Sequence, residues 1–241
     1  MATNSIDTAM ILAAGYGTRM RPLTNDRPKP LVELAGKAII DHVLSRLADK
    51  GVRRAVVNLH YLADQLEQHL SKRSGRPEIQ LSCERDAILD TGGGVKRALP
   101  LLGDNPFLLH NSDSIWLETN VDNLTRLVAA FDPDKMDSLL LMAETATSLG
   151  YSGKGDFFIE PDGRLRRRCE NEVSPNVFTG VSIIHPRLFD DSPDGKFSIN
   201  ILWDRAIENG RVFGIPHHGR WMHVGDPQAL TEAEEVMRRH G

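Results

Sequence analysis

The sequence predicts an α/β fold in which a Rossmann-like, mostly parallel central sheet is flanked by helices. Strand-like and helix-like segments alternate through the first half of the chain, as the crossover connections of a parallel sheet require. The second half is richer in strands and contains a Pro-Asp-Gly turn, which indicates a mixed, partly antiparallel portion. The 241 residues contain no internal repeat and no linker, so we expect a single domain over residues 1–241.

The first half predicts four strands with three helices between them. Residues 9–14 form a continuous apolar run, typical of a strand covered on both faces. The stretch from Lys37 to Lys50 places its apolar residues on one helical stripe and is followed by Gly51, a common residue after a helix end. The other predicted elements are strands at 55–59, 79–83 and 107–113, and helices at 63–72 and 95–102.

The second half predicts strands at residues 138–144 and 177–184. A hairpin is expected from residues 156–160 and 165–168, because Pro161-Asp162-Gly163 between them favours a tight turn. A closing helix is predicted from Pro227 to His240, since its apolar residues recur on one side.

Three loops with distinctive chemistry follow the predicted strands. Gly15-Tyr16-Gly17 follows the first strand, a loop with Thr91-Gly92-Gly93-Gly94 follows the third, and Asn111-Ser112-Asp113 ends the fourth. Ligands of open α/β sheets bind beyond the carboxyl ends of the strands. We therefore expect the three segments to face one site.

Charge and cysteine content argue against several functional classes. A net charge of −4 does not favour a dedicated nucleic-acid surface. Cys83 and Cys169 lack metal-ligand spacing and indicate free thiols in a reducing compartment. The apolar run near the N-terminus is too short to span a membrane. We expect a cytoplasmic protein that binds neither nucleic acid nor membranes.

The segment from Gly15 to Arg19 is a candidate phosphate-binding loop, because glycines expose backbone N–H groups to an anion. It is not a Rossmann fingerprint, whose third glycine is replaced by Met20, and it is not a P-loop. Arg19 and the proline-flanked Lys29 would suit the polyphosphate of a nucleoside triphosphate. An ordinary turn followed by a solvated basic loop is the alternative interpretation.

Residues 12–24 read LAAGYGTRMRPLT and residues 27–32 read RPKPLV. These segments strongly resemble the signature loop of the sugar-1-phosphate nucleotidyltransferases, and the similarity extends over nearly the whole chain. The resemblance implies the nucleotide-diphospho-sugar transferase type of fold. It also implies a nucleotide-binding half at about residues 8–120 and a sugar-binding half, with the C-terminal helix, at about 121–241.

The resemblance implies in-line attack of a sugar 1-phosphate oxygen on the α-phosphorus of a nucleoside triphosphate. Arg19, Lys29 and Asp113 are the implied catalytic residues; Arg19 would neutralise the leaving pyrophosphate and Lys29 would bridge the two phosphates. The implied nucleotide-binding residues are Leu12, Ala13, Ala14, Gly15, Gly17, Thr18, Arg19, Glu84, Thr91, Gly92 and Gly93. The implied sugar-binding residues are Asn111, Gly155, Asp156, Thr179, Gly180 and Trp203. An exposed surface position for Glu84 and a core position for Trp203 are alternatives.

A metal site is expected at Asp113, which would hold Mg²⁺ or Mn²⁺ together with substrate phosphates. Capping of the following turn is the alternative role for this carboxylate. The chain departs from the family pattern at His223, where relatives usually carry an aspartate, and imidazole suits Mn²⁺ better than Mg²⁺. Three outcomes are open. His223 ligates the metal, Asp226 or water supplies the missing oxygen ligand, or the protein has lost its activity. We favour an active enzyme with Asp113 as the principal ligand.

Within the family, residues 89–94, 98–104 and 153–157 resemble the branch that uridylylates N-acetylmuramate 1-phosphate in cell-wall sugar recycling. This resemblance implies UTP and the sugar 1-phosphate as substrates of a monomer or weak homodimer. It also implies a single-function enzyme without the hexapeptide-repeat module of bifunctional relatives. GTP with mannose 1-phosphate, UTP or dTTP with glucose 1-phosphate, and a non-catalytic nucleotide-sugar-binding subunit are the alternatives.

Overall fold

A nine-stranded sheet runs through residues 6–240, the part of the chain that the computed structural model describes. The strands of this sheet and of two small ribbons are β1 Thr8–Leu12, β2 Glu33–Leu34, β3 Lys37–Ala38, β4 Arg54–Leu59, β5 Glu78–Cys83, β6 Phe107–Asn111, β7 Ser114–Leu117, β8 Ser138–Glu144, β9 Phe157–Ile159, β10 Leu165–Arg167, β11 Asn176–Ile184, β12 Val212–Pro216 and β13 Arg220–His223. The α-helices are α1 Ile39–Asp49, α2 Ala63–Ser71, α3 Asp90–Leu102, α4 Asn123–Ala130, α5 Asn200–Glu208 and α6 Pro227–His240.

The first half of the chain forms the parallel part of the sheet. β1 pairs in parallel with β4 on one side and with β6 on the other, and β4 pairs in parallel with β5. Helices α1, α2 and α3 connect these strands in turn, so each connection is a strand–helix–strand crossover. The carboxyl ends of β1, β4, β5 and β6 therefore meet at one edge of the sheet, and the predicted fold class is confirmed.

The second half adds the mixed part of the sheet. β11 runs antiparallel to both β6 and β8, and β12 runs parallel to β8. β9 and β10 form the predicted hairpin, in which the N–H of Gly163 donates to the carbonyl of Glu160 at 2.8 Å. The expected mixed, partly antiparallel portion is thereby confirmed.

Alternate residues of the central strands enter two hydrophobic cores, one on each face of the sheet. In β1, Ala9 and Ile11 pack into the core formed with α1 and α2, whereas Met10 packs into the core formed with α3 and α5. Residues 55–57 of β4 divide in the same way. Because successive side chains point to opposite faces, a strand covered on both sides must be apolar throughout, which accounts for the continuous apolar run.

Three predicted boundaries move by two residues, one of them at the end of β6, which stops at Asn111 instead of residue 113. β1 ends at Leu12, so Ala13 and Ala14 already belong to the turn that follows. Helix α1 begins at Ile39 instead of residue 37, because Lys37 and Ala38 pair with β2 as a two-stranded ribbon.

The expected loop with Thr91-Gly92-Gly93-Gly94 is wrong, since α3 begins at Asp90 and these residues form its first turn. A Cβ on Gly92 would lie 2.4 Å from the ring of Phe197, and one on Gly93 would lie 2.2 Å from the carbonyl oxygen of Gly195. Glycine disfavours helix by about 1 kcal/mol, but here only glycine lets the helix start pack directly on residues 195–199. Tertiary packing thus outweighs local propensity.

The sequence reading missed β7, α4, α5, β12 and β13. Strands β7 and β13 form an antiparallel ribbon in which Ser114 lies opposite His223. The ribbon brings the residue before β7, Asp113, beside the end of β13. In residues 6–240 no helix is both long enough and apolar enough to cross a membrane.

Candidate active site

A cavity of about 310 Å³ opens at the edge where the parallel strands end. Its walls come from the segments after β1, β5 and β6, which the sequence predicted to face one site. The predicted site residues that line it are Leu12, Ala13, Ala14, Gly15, Gly17, Thr18, Arg19, Lys29, Glu84, Thr91, Asn111 and Asp113. The parallel topology is the reason that residues so distant in sequence meet here.

The glycine loop, residues 13–19, lines one side of this cavity. Gly17 adopts a φ of +62°, and a Cβ there would lie 3.0 Å from Cβ of Lys29. The hydroxyl of the buried Thr24 donates to the Gly17 carbonyl at 2.8 Å and fixes the turn. Apart from its chain neighbours, no atom of residues 6–240 lies within 4 Å of the Cβ position of the exposed Gly15. Gly17 is therefore required by the fold, whereas Gly15 leaves the backbone open to a ligand.

Lys29 and Asp113 form an ion pair in the cavity wall, with 2.5 Å between Nζ and Oδ2. Lys29 starts a short helical turn after Pro28, whose extended backbone ends the preceding loop. Both side chains are largely buried, 14% and 19% exposed. Burial by itself would raise the pKa of Asp113, but the charge of Lys29 and the hydrogen bond with His223 hold it well below its usual range. Asp113 is a carboxylate at every physiological pH.

His223 contacts the same carboxylate oxygen, with Nε2 3.2 Å from Oδ2 of Asp113. Its ring stacks on the indole of Trp221 at a centroid distance of 6.0 Å. A Cβ on Gly225 would lie 2.9 Å from the imidazole, so glycine makes room for the ring. The N–H of Val224 also donates to the backbone carbonyl of Asp113 at 3.0 Å. The residues around the end of β13 therefore hold Asp113 in place from one side.

Asp226 has a structural contact of its own. Its Oδ1 accepts the N–H of Ala229 at 2.9 Å, and its backbone carbonyl accepts the N–H of Leu230 at 3.0 Å. A side-chain oxygen that accepts the backbone N–H of the residue three positions later, at the start of a helix, is an N-terminal helix cap. Asp226 thus caps α6.

The donor set around Asp113 fits a cation shared with substrate phosphates. Among residues 6–240, no group of three or more His, Cys, Asp and Glu side chains is arranged to hold a metal ion. Mg²⁺ is commonly held by one or two carboxylates together with phosphate oxygens, so a single buried carboxylate is a sufficient protein contribution. Lys29 and His223 both contact Oδ2 of Asp113, and Asp113 is the residue that would hold the cation.

The residues predicted to approach the base have different positions. Thr91 lines the cavity, and its hydroxyl accepts the N–H of Ile199 at 3.0 Å. Gly92 and Gly93 do not line it, and their N–H groups both donate to the Phe197 carbonyl. Glu84 is fully buried and lines the cavity, so the surface alternative does not apply.

Two of the predicted sugar-binding residues meet beside Asp113. Gly180 has a φ of +82°, and a Cβ there would lie 2.7 Å from Nδ2 of the cavity-lining Asn111. Thr179 is buried and its hydroxyl donates to the carbonyl of Leu141 at 2.8 Å, so its side chain points into the protein. Gly180 therefore sets the position of Asn111, while Thr179 supports the strand.

Of the predicted sugar-binding residues only Asn111 lines the cavity, so Gly155, Asp156 and Trp203 lie outside its walls, as Thr179 and Gly180 do. The backbone of Gly155 is fixed by two contacts, its N–H to the hydroxyl of Tyr151 at 3.0 Å and its carbonyl to Nε of Arg168 at 2.9 Å. Asp156 accepts the N–H of Phe178 at 2.9 Å, and burial raises its pKa. Trp203 is 2% exposed and belongs to the core on the α3 and α5 face, which is the alternative that the sequence left open.

The sequence analysis did not predict several of the residues that line the cavity. Among them are Pro30, Asn58, Ile88, Asp90, Ser112 and Gly225. The sequence alone could have identified Asn58, because it is the one polar residue in the strand sequence Ala55-Val56-Val57-Asn58-Leu59. A polar side chain in a strand covered on both faces requires a partner, and a ligand site is one place to find it.

Comparisons with known proteins find relatives that cover nearly the whole chain. Residues 8–151 match the nucleotidyl transferase family. The chain is 52% identical over 229 residues to N-acetylmuramate alpha-1-phosphate uridylyltransferase of Caulobacter vibrioides, covering 94% of this chain and 95% of that protein. It is 36% identical over 231 residues to the Neisseria meningitidis protein of the same name, covering 95% and 97%. HddC from Yersinia pseudotuberculosis, complexed with GMP-PN, shares the fold with a TM-score of 0.78 at 22% identity, covering 96% of this chain and 100% of that one.

Proposed function

Because this chain belongs to the nucleotidyl transferase family, we propose that it transfers the uridylyl group of UTP to N-acetylmuramate 1-phosphate. The products are the UDP-sugar and pyrophosphate. The observation that carries this proposal is the 52% identity to a uridylyltransferase of that name over 94% of this chain. The cavity supports it independently, because its cations and backbone amides suit phosphate groups. We further propose a cytoplasmic enzyme that is a single domain and works as a monomer or weak homodimer.

The glycine loop binds the triphosphate in this proposal. The N–H of Ala13 already donates to the side chain of Asn58 at 2.7 Å, so the backbone N–H groups from Ala14 to Thr18 bind the phosphates. Arg19, exposed at the cavity wall, neutralises the charge that develops on the departing pyrophosphate. Fixed backbone donors and a guanidinium stabilise such a transition state without reorganising during the reaction.

Lys29 lies where the two substrates meet. A sugar phosphate oxygen attacks the α-phosphorus of UTP as the bond to the β-phosphate oxygen breaks, and Lys29 bridges the attacking phosphate and the α-phosphate. The ion pair with Asp113 holds the ammonium in position before substrates arrive, which lowers the entropic cost of aligning it. Asp113, with His223 beside it, would hold a divalent cation, which when bound supplies further charge neutralisation for the phosphates.

The test is a substrate panel read by pyrophosphate release. Purified protein is mixed with UTP, GTP, CTP or dTTP, each with N-acetylmuramate, N-acetylglucosamine, glucose or mannose 1-phosphate, in Mg²⁺ and in Mn²⁺. We expect UTP with N-acetylmuramate 1-phosphate to have the highest kcat/KM. Turnover of GTP with mannose 1-phosphate, but not of this pair, would replace the proposal with the guanylyltransferase alternative. Nucleotide binding without turnover of any pair would favour a non-catalytic subunit.

A further inference from the structure

We propose that Asn58 is a positioning residue that joins the start of the glycine loop to Glu84, which also lines the cavity, so that nucleotide affinity depends on it. This inference rests on the proposed function in one respect, namely that the nucleotide occupies this cavity. Asn58 has no role in the chemistry itself; it acts through the two groups that it holds.

The carboxamide of Asn58 uses both of its polar atoms within the protein. Oδ1 accepts the N–H of Ala13 at 2.7 Å, and Nδ2 donates to Oε1 of Glu84 at 2.7 Å. Asn58 and Glu84 are 3% and 0% exposed, so water does not compete for these bonds. A carboxamide carries its acceptor and its donor on two separate atoms of one short side chain. Asp lacks the donor, Leu lacks both, and the single oxygen of Ser would have to reach both partners, so Asn fits here.

Glu84 is held at its second oxygen as well. Oε2 accepts the N–H of Leu89 at 3.3 Å, so donors from two separate segments fix the plane of the carboxylate. Burial raises the pKa of Glu84, while the bonds from Asn58 and Leu89 act in the opposite direction. Removing either donor would leave a buried carboxylate oxygen unsatisfied, which is the costly outcome for a polar group in a dry environment.

Helix α3 closes over this pair because residue 94 is glycine. A Cβ on Gly94 would lie 2.7 Å from Oε1 of Glu84 and 3.0 Å from Nδ2 of Asn58. The third glycine of the Thr91-Gly92-Gly93-Gly94 segment therefore serves the Asn58–Glu84 bond, as the first two serve packing against residues 195–199. Together the contacts connect the end of β1, β4, the end of β5 and the start of α3.

The arrangement predicts a larger effect on the binding of UTP than on the binding of the sugar 1-phosphate. In the proposed function the nucleotide lies against Ala13 and Glu84, whereas the sugar phosphate meets the α-phosphate beside Lys29 and Asp113. A disturbance at Asn58 therefore weakens UTP binding more than sugar phosphate binding. A residue needed only for stability would lower the melting temperature without separating the two KM values.

The first variant is Asn58→Asp, which keeps an acceptor for Ala13 but sets a second carboxylate oxygen against Oε1 of Glu84. We expect the KM for UTP to rise at least about tenfold, and the Kd for UTP measured by calorimetry to rise equally. The KM for the sugar 1-phosphate should change less than about twofold. Asn105→Asp, on an exposed turn before β6, is the matched control and should leave both KM values as in the wild type.

The second variant, Asn58→Asp with Glu84→Gln, tests the hydrogen bond itself. In the double variant the amide nitrogen introduced at position 84 donates to the carboxylate introduced at position 58, and the amide oxygen accepts from Leu89, so all three bonds are restored. In Glu84→Gln alone, Asn58 still donates to the amide oxygen at position 84. The amide nitrogen then points at the N–H of Leu89, so two donors face each other. The double variant should therefore bind UTP more tightly than either single variant, a coupling that only a direct contact gives.

The outcomes separate the two proposals. An unchanged KM for UTP in Asn58→Asp, equal changes in both KM values, or no gain in the double variant overturns the role of Asn58. A wild-type protein that binds UTP but turns over a different sugar phosphate overturns only the proposed substrate, and the Kd comparison still decides on Asn58. A wild-type protein that binds no nucleoside triphosphate overturns both.

Discussion

The imidazole of His110 stacks on the indole of Trp116, with ring centroids 5.6 Å apart and an interplanar angle of 16°. His217 meets the same indole edge-on at 5.7 Å, and the guanidinium of Arg46 lies 3.8 Å from its centroid. Both histidines are buried. Burial, followed by the nearby charge of Arg46, lowers the pKa of each to about 4. Two neutral imidazoles are thus enclosed next to the strand end that carries Asn111 and Asp113.

These two histidines predict a loss of stability in mild acid. In the unfolded chain their pKa returns to about 6.5, so the unfolded state binds more protons between pH 6.5 and 4. The contribution of each neutral histidine to the free energy of unfolding is therefore fully present above pH 6.5. It is lost as the pH drops towards 4, which lowers the free energy of unfolding by about 2–3 kcal/mol per histidine. Urea unfolding at pH 7, 6, 5 and 4 measures it.

His110→Gln provides the comparison, since it removes one of the titrating groups. Its curve of stability against pH should be flatter than that of the wild type between pH 6.5 and 4, even if its stability at pH 7 is lower. Parallel curves for His110→Gln and the wild type would refute the assignment.

The ion pair between Lys29 and Asp113 predicts a large loss of activity in Lys29→Met. Removing a preorganised cation that contacts the reacting phosphates typically lowers kcat by about 10²–10³-fold. Asp113 would also lose its main partner, which should lower the free energy of unfolding by about 1–3 kcal/mol. Steady-state kinetics and urea unfolding measure the two effects.

Lys135→Met is the control for Lys29→Met, because Lys135 pairs with Asp132 at 2.9 Å with its side chain 73% exposed. An exposed pair contributes little to stability, so both activity and unfolding should stay near wild type. Wild-type turnover in Lys29→Met would remove Lys29 from the mechanism.

His223→Asp is expected to retain or increase turnover supported by Mg²⁺. The change sets a second carboxylate beside Asp113, and two carboxylates suit Mg²⁺ better than a carboxylate and an imidazole. Without metal the like charges repel, so the melting temperature should fall below that of the wild type, and Mg²⁺ should raise it more in the variant. Thermal unfolding with and without Mg²⁺ measures this change in melting temperature independently of activity. Complete loss of turnover would show that His223 serves another role.

The glycines predict opposite responses at positions 92 and 15. Gly92→Ala drives a methyl group into the buried ring of Phe197, 2.4 Å away, and overpacking of this kind costs about 1–3 kcal/mol. In the described part of the chain, the methyl group of Gly15→Ala meets nothing within 4 Å beyond its own neighbours. The stability of this variant should therefore stay within about 0.5 kcal/mol of wild type, while its KM for UTP rises. Denaturant unfolding and kinetics of both variants test the contrast; equal stabilities would contradict it.

Much of the fold was predictable because its signals are local and periodic. The apolar run at residues 9–14 and the helical stripe at 37–50 identify buried strands and helices by the spacing of side chains. The alternation of these elements restricts the connections to parallel crossovers. The missed strands β7 and β13 are four residues each, and a run of that length leaves too few repeats for a period to show.

The sequence by itself determined that the first strands run parallel and that a glycine loop with two cations follows the first of them, because backbone periodicity and residue chemistry are properties of short segments. Only the tertiary structure decided that Lys29, His223 and Asp113 meet at one oxygen, that Gly92 and Gly93 serve helix packing, and that Asn58 connects Ala13 to Glu84. Those contacts join residues far apart along the chain. Their geometry depends on the strand register and helix packing of the whole protein, which no short segment specifies.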